Sequence, residues 1–275
     1  MTSKSTQPAT TILWLTDLHL DRASRGRIGT LLNTIAGIQS KALIVTGDTS
    51  SAPAIVKHLR ELAEACAPRP LYFVLGNHDF HHGSIEWVER ELAAVCRSVA
   101  NLRHLHGDEI IPLDQHTALI GHRGWADARA GWGRKTIIGS RDHRSIEDFR
   151  KLSRAGLFAK MESLGRESAA AFRRTLPLAL SSYRHVVVAT HVPPFPQTAY
   201  YNNQPCGPTH LPHFTNLTAG MALTGIVRNF PCRRVTVLAG HTHSKAGSWI
   251  LGNLEARVGG ARTGNPGIQG VLEFP

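Results

Sequence analysis

Six apolar runs rich in β-branched residues constrain this chain more than any other feature: TILWLT (11–16), ALIVTG (42–47), LYFVLG (71–76), TALIG (117–121), HVVVAT (185–190) and RVTVLAG (234–240). Several are apolar at nearly every position, the pattern of strands buried on both faces. Helical periodicity fills the early gaps. RIGTLLNTIAGIQ places Ile28, Leu31, Leu32 and Ile35 on one stripe, and PAIVKHLRELAEAC opens on a proline suited to a first helical position. SIEWVERELAAVCR begins at a Ser84 cap and carries Ile85, Val88, Leu92 and Val95 at helical spacing. Strand, helix, strand, helix, strand, helix predicts right-handed parallel units and a sheet covered by helices. Ligands then sit beyond the carboxyl ends of the strands.

Those ends read TDLH (Asp17, His19), TGD (Asp48), GNHD (Asn77, His78, Asp79), ATH (His191) and AGHTH (His241, His243). Singly, each is weak, because Gly, Asn and Asp form turns for backbone reasons and a lone histidine is usually a hydrogen-bonded core or surface residue. Five in succession bring carboxylates, imidazoles and an amide to one edge of a sheet. Such donors, with no thiolate among them, suit Mn, Fe or Zn, and they are too many for a single tetrahedral zinc. Two divalent or trivalent metal ions fit the count better.

The length of 275 residues suits one large α/β domain, read as 10–275 after a short polar leader, 1–9, expected to be flexible. The apolar run after the leader is too short for a signal peptide, and no run approaches membrane-spanning length, so the expected setting is cytoplasmic with no membrane span. Cys66, Cys96, Cys206 and Cys232 form no C-x-x-C pair and are expected to be free thiols. The formal charge is +11, and residues 122–184 hold fourteen Lys or Arg against six Asp or Glu. This basic segment breaks the strand–helix alternation and reads as a helical insertion lying over the site, with Ser145 and Asp148 spaced as a capping box. Beyond residue 244, GSWILGNLEARVGG reads as a hairpin about Gly252-Asn253 and GIQGVLEF as a further strand.

Taken together, D-x-H, G-D, G-N-H-D, a strand-terminal H and G-H-x-H, in order across residues 12–243, resemble the signature of calcineurin-like metallophosphoesterases. The resemblance implies an α/β fold, a four-layer αββα sandwich of two mixed β-sheets flanked by helices. It puts Asp17, His19 and His243 on a first metal, Asn77, His191 and His241 on a second, and Asp48 between them. His78 then faces the substrate, stabilising the transition state or protonating the leaving group, with Asp79 orienting it. The implied reaction is phosphoester hydrolysis by a metal-bridging hydroxide. Cations about 4 Å apart need bridging anions, and coordination lowers the pKa of water. An imidazolium at His78, favoured by a neighbouring carboxylate, would balance developing charge.

The basic segment fits a nucleotide or nucleic-acid phosphodiester, which is slightly favoured, since Lys and Arg dominate such phosphate contacts, but the same side chains would equally serve a phosphomonoester or a phosphoprotein. The expected partner is a phosphorylated small molecule, a nucleotide or a nucleic acid. Substrate contacts are expected from His81, Trp125, Arg129, Tyr200 and Tyr201, the last two in a proline-rich loop after His191 that also carries His210 and His213. Against this, His81 and His82 could be solvated turn residues, and Trp125 and Trp132 the packing of a lid. A competing reading is a catalytically silent member of the fold that binds nucleic acid or protein through its basic surface. Retention of all seven prospective ligands and His78 favours the enzyme. A mononuclear zinc hydrolase is disfavoured by that ligand count and by the lack of H-E-x-x-H.

Overall fold

The computed structural model describes residues 10–274, so the leader 1–9 lies outside the described residues. Strands and helices alternate at first as the periodicity predicts: β1 (Thr10–Leu15), α1 (Arg25–Gly37), β2 (Ala42–Thr46), α2 (Ala52–Cys66), β3 (Leu71–Val74), α3 (Ile85–Ser98) and β4 (Leu102–His104). Two strands, β5 (Ile111–Pro112) and β6 (Thr117–Gly121), lead to two single turns, α4 (Asp142–Ser145) and α5 (Glu147–Arg150), and to the long helix α6 (Arg154–Ser182). Next come β7 (His185–Ala189), the small strands β8 (Tyr200–Tyr201) and β9 (Gln204–Pro205), α7 (Leu211–Phe214) and α8 (Leu217–Val227). The chain closes with β10 (Arg234–Ala239), β11 (Ala246–Leu251), β12 (Leu254–Val258) and β13 (Ile268–Phe274).

One sheet has the order β13-β1-β2-β3-β4 and the other β11-β12-β10-β7-β6-β5. Both are mixed: the inner strands are parallel, while β13, β11 and β5 pair antiparallel with their neighbours. The continuous apolar runs follow from burial on both faces. In β1, Leu13 and Leu15 face the core under α1–α3, whereas Ile12 and Trp14 face the second sheet. In β7, Val186 and Val188 pack under α6 and α8, whereas Val187 and Ala189 face the first sheet. Four layers result, and each fully buried side chain of this size contributes roughly 1.5–3 kcal/mol before conformational entropy is subtracted.

Ser84 caps α3 as expected, its hydroxyl accepting from the Trp87 amide at 3.2 Å, and β11 and β12 form the hairpin about Gly252-Asn253. The capping box at Ser145 is not formed. Ser145 closes α4 instead of opening a helix, and the Asp148 carboxylate accepts from the Ile85 amide at 2.8 Å, capping α3 from a distance. The basic segment takes two forms. Residues 122–153 cross the strand ends as loop and single turns, while α6 packs on α8, β6 and β7 as the outer layer of the second sheet. Among the described residues, no helix is long and apolar enough to cross a membrane.

Candidate metal centre

Asp17 and His19 follow β1, Asp48 follows β2, Asn77 and His78 follow β3, His191 follows β7, and His241 and His243 follow β10. The backbone bends sharply at these points. Asp17 (φ 50), His19 (φ 43), Asp48 (φ 52), His241 (φ 74) and His243 (φ 56) are left-handed, five of the nine non-glycine residues with positive φ among the described residues. That conformation costs a residue with a Cβ about 1–2 kcal/mol, and it persists where the surroundings demand one direction of the side chain. Two glycines let the strand ends meet. A Cβ on Gly76 would overlap Asp48 Oδ1, and one on Gly240 would overlap Asp17 Oδ2.

Two groups of donor atoms result. In the first, His19 Nε2 lies 3.0 Å from His243 Nε2 and 3.6 Å from Asp48 Oδ2, while His243 Nε2 lies 3.4 Å from Asp17 Oδ1. One ligand atom from each of these four residues falls within 4.8 Å of the others. In the second, Asn77 Oδ1 is 3.1 Å from His191 Nε2 and 2.9 Å from His241 Nδ1, and Asp48 Oδ1 is 3.3 Å from His191 Nε2. Asp48 thus turns one oxygen to each group.

The protons of the second group can be placed. His191 Nδ1 lies 2.8 Å from the Thr46 carbonyl oxygen, and His241 Nε2 lies 2.8 Å from that of His213. A carbonyl only accepts, so these nitrogens carry the hydrogens. Burial holds His191 down at about 4 and lowers His241 from the usual imidazole range, so both rings are neutral with a single N–H each. Their other nitrogens turn lone pairs toward Asn77 Oδ1, and that amide is itself oriented by Nδ2 donating to Asp142 Oδ1 at 2.9 Å. Lone pairs facing lone pairs with no hydrogen between them suit a cation, and the outer nitrogens are fixed by carbonyls in the manner common to metal-binding histidines. The carboxylates divide in the same field. Burial would raise Asp17, but the His243 hydrogen bond and the charges of His191, His243 and His19 hold it well below the usual range. Burial and the like charges of Asp17 and Asp79 push Asp48 well above it.

His78 and Asp79 differ from the expected pair. The Asp79 carboxylate is buried and accepts from the backbone amides of Gly76 (2.8 Å), Ser50 (2.9 Å) and Asp48 (3.0 Å), so it pins the turn instead of orienting the imidazole. Adjacent side chains in this single turn diverge, one inward and one to the cleft. Burial raises Asp79 to about 7 against those amides. The His78 ring stacks on His81 with centroids 4.1 Å apart, and its Nδ1 lies 3.4 Å from Arg22 Nη2. Burial and the neighbouring His81 and His19 push His78 well below the usual range, so the ring is neutral and not the expected imidazolium.

A family model of calcineurin-like phosphoesterases matches residues 10–245. The chain belongs to this family. It is accordingly a metal-dependent hydrolase of phosphoric esters. Among solved structures, a dimetal phosphatase from Danio rerio is similar to this chain with a TM-score of 0.56 and 15% identity, covering 92% of this chain and 87% of that one. TT1561 of Thermus thermophilus is similar with a TM-score of 0.55 and 14% identity, covering 92% and 89%. Likeness at such identity carries the fold alone. No curated protein matches in sequence.

The expected substrate contacts of this calcineurin-like phosphoesterase scatter. A cleft of about 560 Å³ opens at the donors and is lined by His78, Arg141, Tyr201, His210 and Phe214 among others. Tyr201 is therefore at the cleft, whereas the half-buried Tyr200 and the exposed Arg129 are not among its lining residues. His81 is not a substrate contact, because it is buried and bonded through Nε2 to Asp142 Oδ1 at 2.7 Å. Trp125 is a packing residue, buried with its ring 5.8 Å from Phe80 and 5.5 Å from Phe149.

Sequence reasoning missed Asp142 and Arg22. Asp142 takes hydrogen bonds from Asn77, His81 and the Ser140 hydroxyl (2.8 Å); against burial, the hydrogen bond and charge of His81, then the Asn77 hydrogen bond, hold it well below the usual range. In the stretch SRDHR nothing marks one acid as different from a surface residue. Arg22 had a weak signal, its place three residues after His19.

Proposed function

We propose that the centre holds two divalent metal ions, drawn from Mn, Fe and Zn, and hydrolyses a phosphoester, with phosphodiesters favoured over monoesters. Asp17, His19 and His243 would hold one ion and Asn77, His191 and His241 the other, with Asp48 shared. The observation that carries this reading is the pair of imidazole lone pairs meeting Asn77 Oδ1 with no hydrogen between them, beside an Asp48 that turns one oxygen to each donor group. When bound, the ions supply Lewis-acid polarisation of the phosphoryl group and an activated water.

The chain's own residues supply the rest. His78 is the half-buried imidazole at the cleft wall. A guanidinium has no acceptor, so Arg22 donates to His78 Nδ1 and leaves Nε2–H to donate to oxygen on which charge develops. Asp79, held by backbone amides, keeps the His78 turn in place without touching the reacting atoms. The cleft extends beyond the donors past Arg141, which gives room for the second substituent of a diester and a cation for its charge. Cysteines 66, 96, 206 and 232, all free, support a cytoplasmic setting.

The test is metal analysis of protein supplied in turn with Mn, Fe and Zn, followed by turnover of a phosphomonoester and phosphodiester panel. Two ions per chain and faster hydrolysis of diesters are expected. Loading that never exceeds one ion, or faster monoester turnover, would overturn the corresponding part.

A further inference from the structure

The cleft has a wall that the chemistry at phosphorus does not use. Between β8 and β9 the chain turns on Asn202 (φ 50) and Asn203 (φ 60), the left-handed pair of a tight two-residue hairpin, for which asparagine is favoured. The tip is tied down: the Asn203 amide donates to Ser244 Oγ at 3.1 Å, one residue beyond His243. The hairpin therefore keeps a fixed position relative to the donor groups.

That position presents an aromatic platform. The Tyr201 ring stacks on His210 with centroids 4.7 Å apart and planes within 21°, and Phe214 supports it at 5.6 Å. Phe214 in turn lies 5.3 Å from His241, so aromatic surface runs from the donors to the hairpin tip. Backed by His210, Tyr201 is still 43% exposed, and it lines the same cleft as His78. A large exposed aromatic ring held in place on a tethered hairpin is preorganised for a flat partner. Asn202 and Asn203 line the cleft beside it and bring amide donors and acceptors to the edge of whatever stacks there.

From this geometry we infer that the ester group of the substrate carries a nucleobase, stacked on Tyr201 and read at its edge by Asn202 and Asn203. An alkyl ester would leave both the ring and the amides unused. The inference rests on the phosphoesterase reading of the same site and names its substrate class as nucleotides. About 560 Å³ lies within the range of pockets that enclose whole small-molecule ligands, and Arg141 on the lining matches an anionic one.

The experiment compares adenosine 5′-monophosphate with ribose 5-phosphate, and the methyl diester of each, on the metal-loaded protein, so that only the base differs within a pair. Wild type is expected to favour the adenosine member of whichever pair it turns over. Tyr201→Ala should cut that kcat/KM ratio by about 5- to 150-fold, the range for loss of one base–aromatic stack, whereas Tyr201→Phe keeps it. Equal turnover with and without the base, or an equal loss on both members in Tyr201→Ala, would overturn the inference and leave the phosphoesterase reading standing. Calorimetric titration with the two monophosphates asks the same question without turnover. Preferential binding of the adenosine compound, lost in Tyr201→Ala, with no ester hydrolysed would retain the platform and sink the phosphoesterase reading.

Discussion

The two donor groups are aimed by different means. Asp17, His19 and His243 all have left-handed backbones, the His19 Nδ1 atom has no hydrogen-bond partner, and the His243 side chain is 34% exposed. In the group of Asn77, His191 and His241, only His241 is left-handed, while carbonyls fix both histidine tautomers and Asp142 fixes the amide. The histidines of the first group rely on the path of the chain, although Asp17 accepts from the Thr16 hydroxyl and the His241 amide, whereas those of the second are fixed by hydrogen bonds to carbonyls. Preset tautomers leave less reorganisation to be done on binding. Stepwise chelation is therefore expected to strip the first group before the second.

The change that would erase this difference is Asp48→Ala, because Asp48 has an oxygen in each group. Metal analysis should find both ions lost and turnover at background, and retention of one ion would show that Asp48 is not shared. His78→Ala should spare both groups and lower kcat by about 100- to 1000-fold, the usual effect of losing one transition-state donor. Concurrent metal loss would make His78 a ligand instead.

Asp142→Ala sharpens the comparison, since its hydrogen bond reaches only the second group. Two-site metal titration is expected to show about 10- to 100-fold weaker binding there, with the first group unaltered. Equal weakening of both would sink the assignment. The smallest effect belongs to a histidine outside both groups. Burial, followed by the charges of Arg234 and Arg257, holds His185 at about 4, below its ordinary 6.5. Between those values the unfolded chain takes a proton that the folded chain refuses, so this stability is complete above about 6.5 and is lost as pH falls to about 4. His185→Gln in metal-free protein should remove up to one proton from the pH dependence of urea unfolding over that window. An unchanged slope would mean the acid sensitivity arises elsewhere.

The strand-end donors were legible because each lies within a few residues of a run that declares itself by burial on both faces. Asn77 and His191 come together across 114 positions, yet each could be read locally, since both terminate parallel strands. Asp142 could not be read in this way. Its role arises from a loop whose course over the strand ends is set by packing, as when Asp148 caps α3 instead of joining Ser145. Trp125 illustrates the opposite error: in a Gly-flanked loop it reads as a substrate contact, but its ring fills space between Phe80 and Phe149, closer to the alternative of packing. The Asp79 role failed for a smaller reason, the divergence of neighbouring side chains in one turn.

The left-handed strand ends set stability against function within single residues. At Asp17, His19, Asp48, His241 and His243, a glycine would relieve the backbone while deleting a donor. In metal-free protein such a change can gain up to about 1–2 kcal/mol at a site before packing losses are subtracted. Selection for heat resistance alone, with no demand for turnover, would therefore erode this centre while leaving the sandwich beneath it intact.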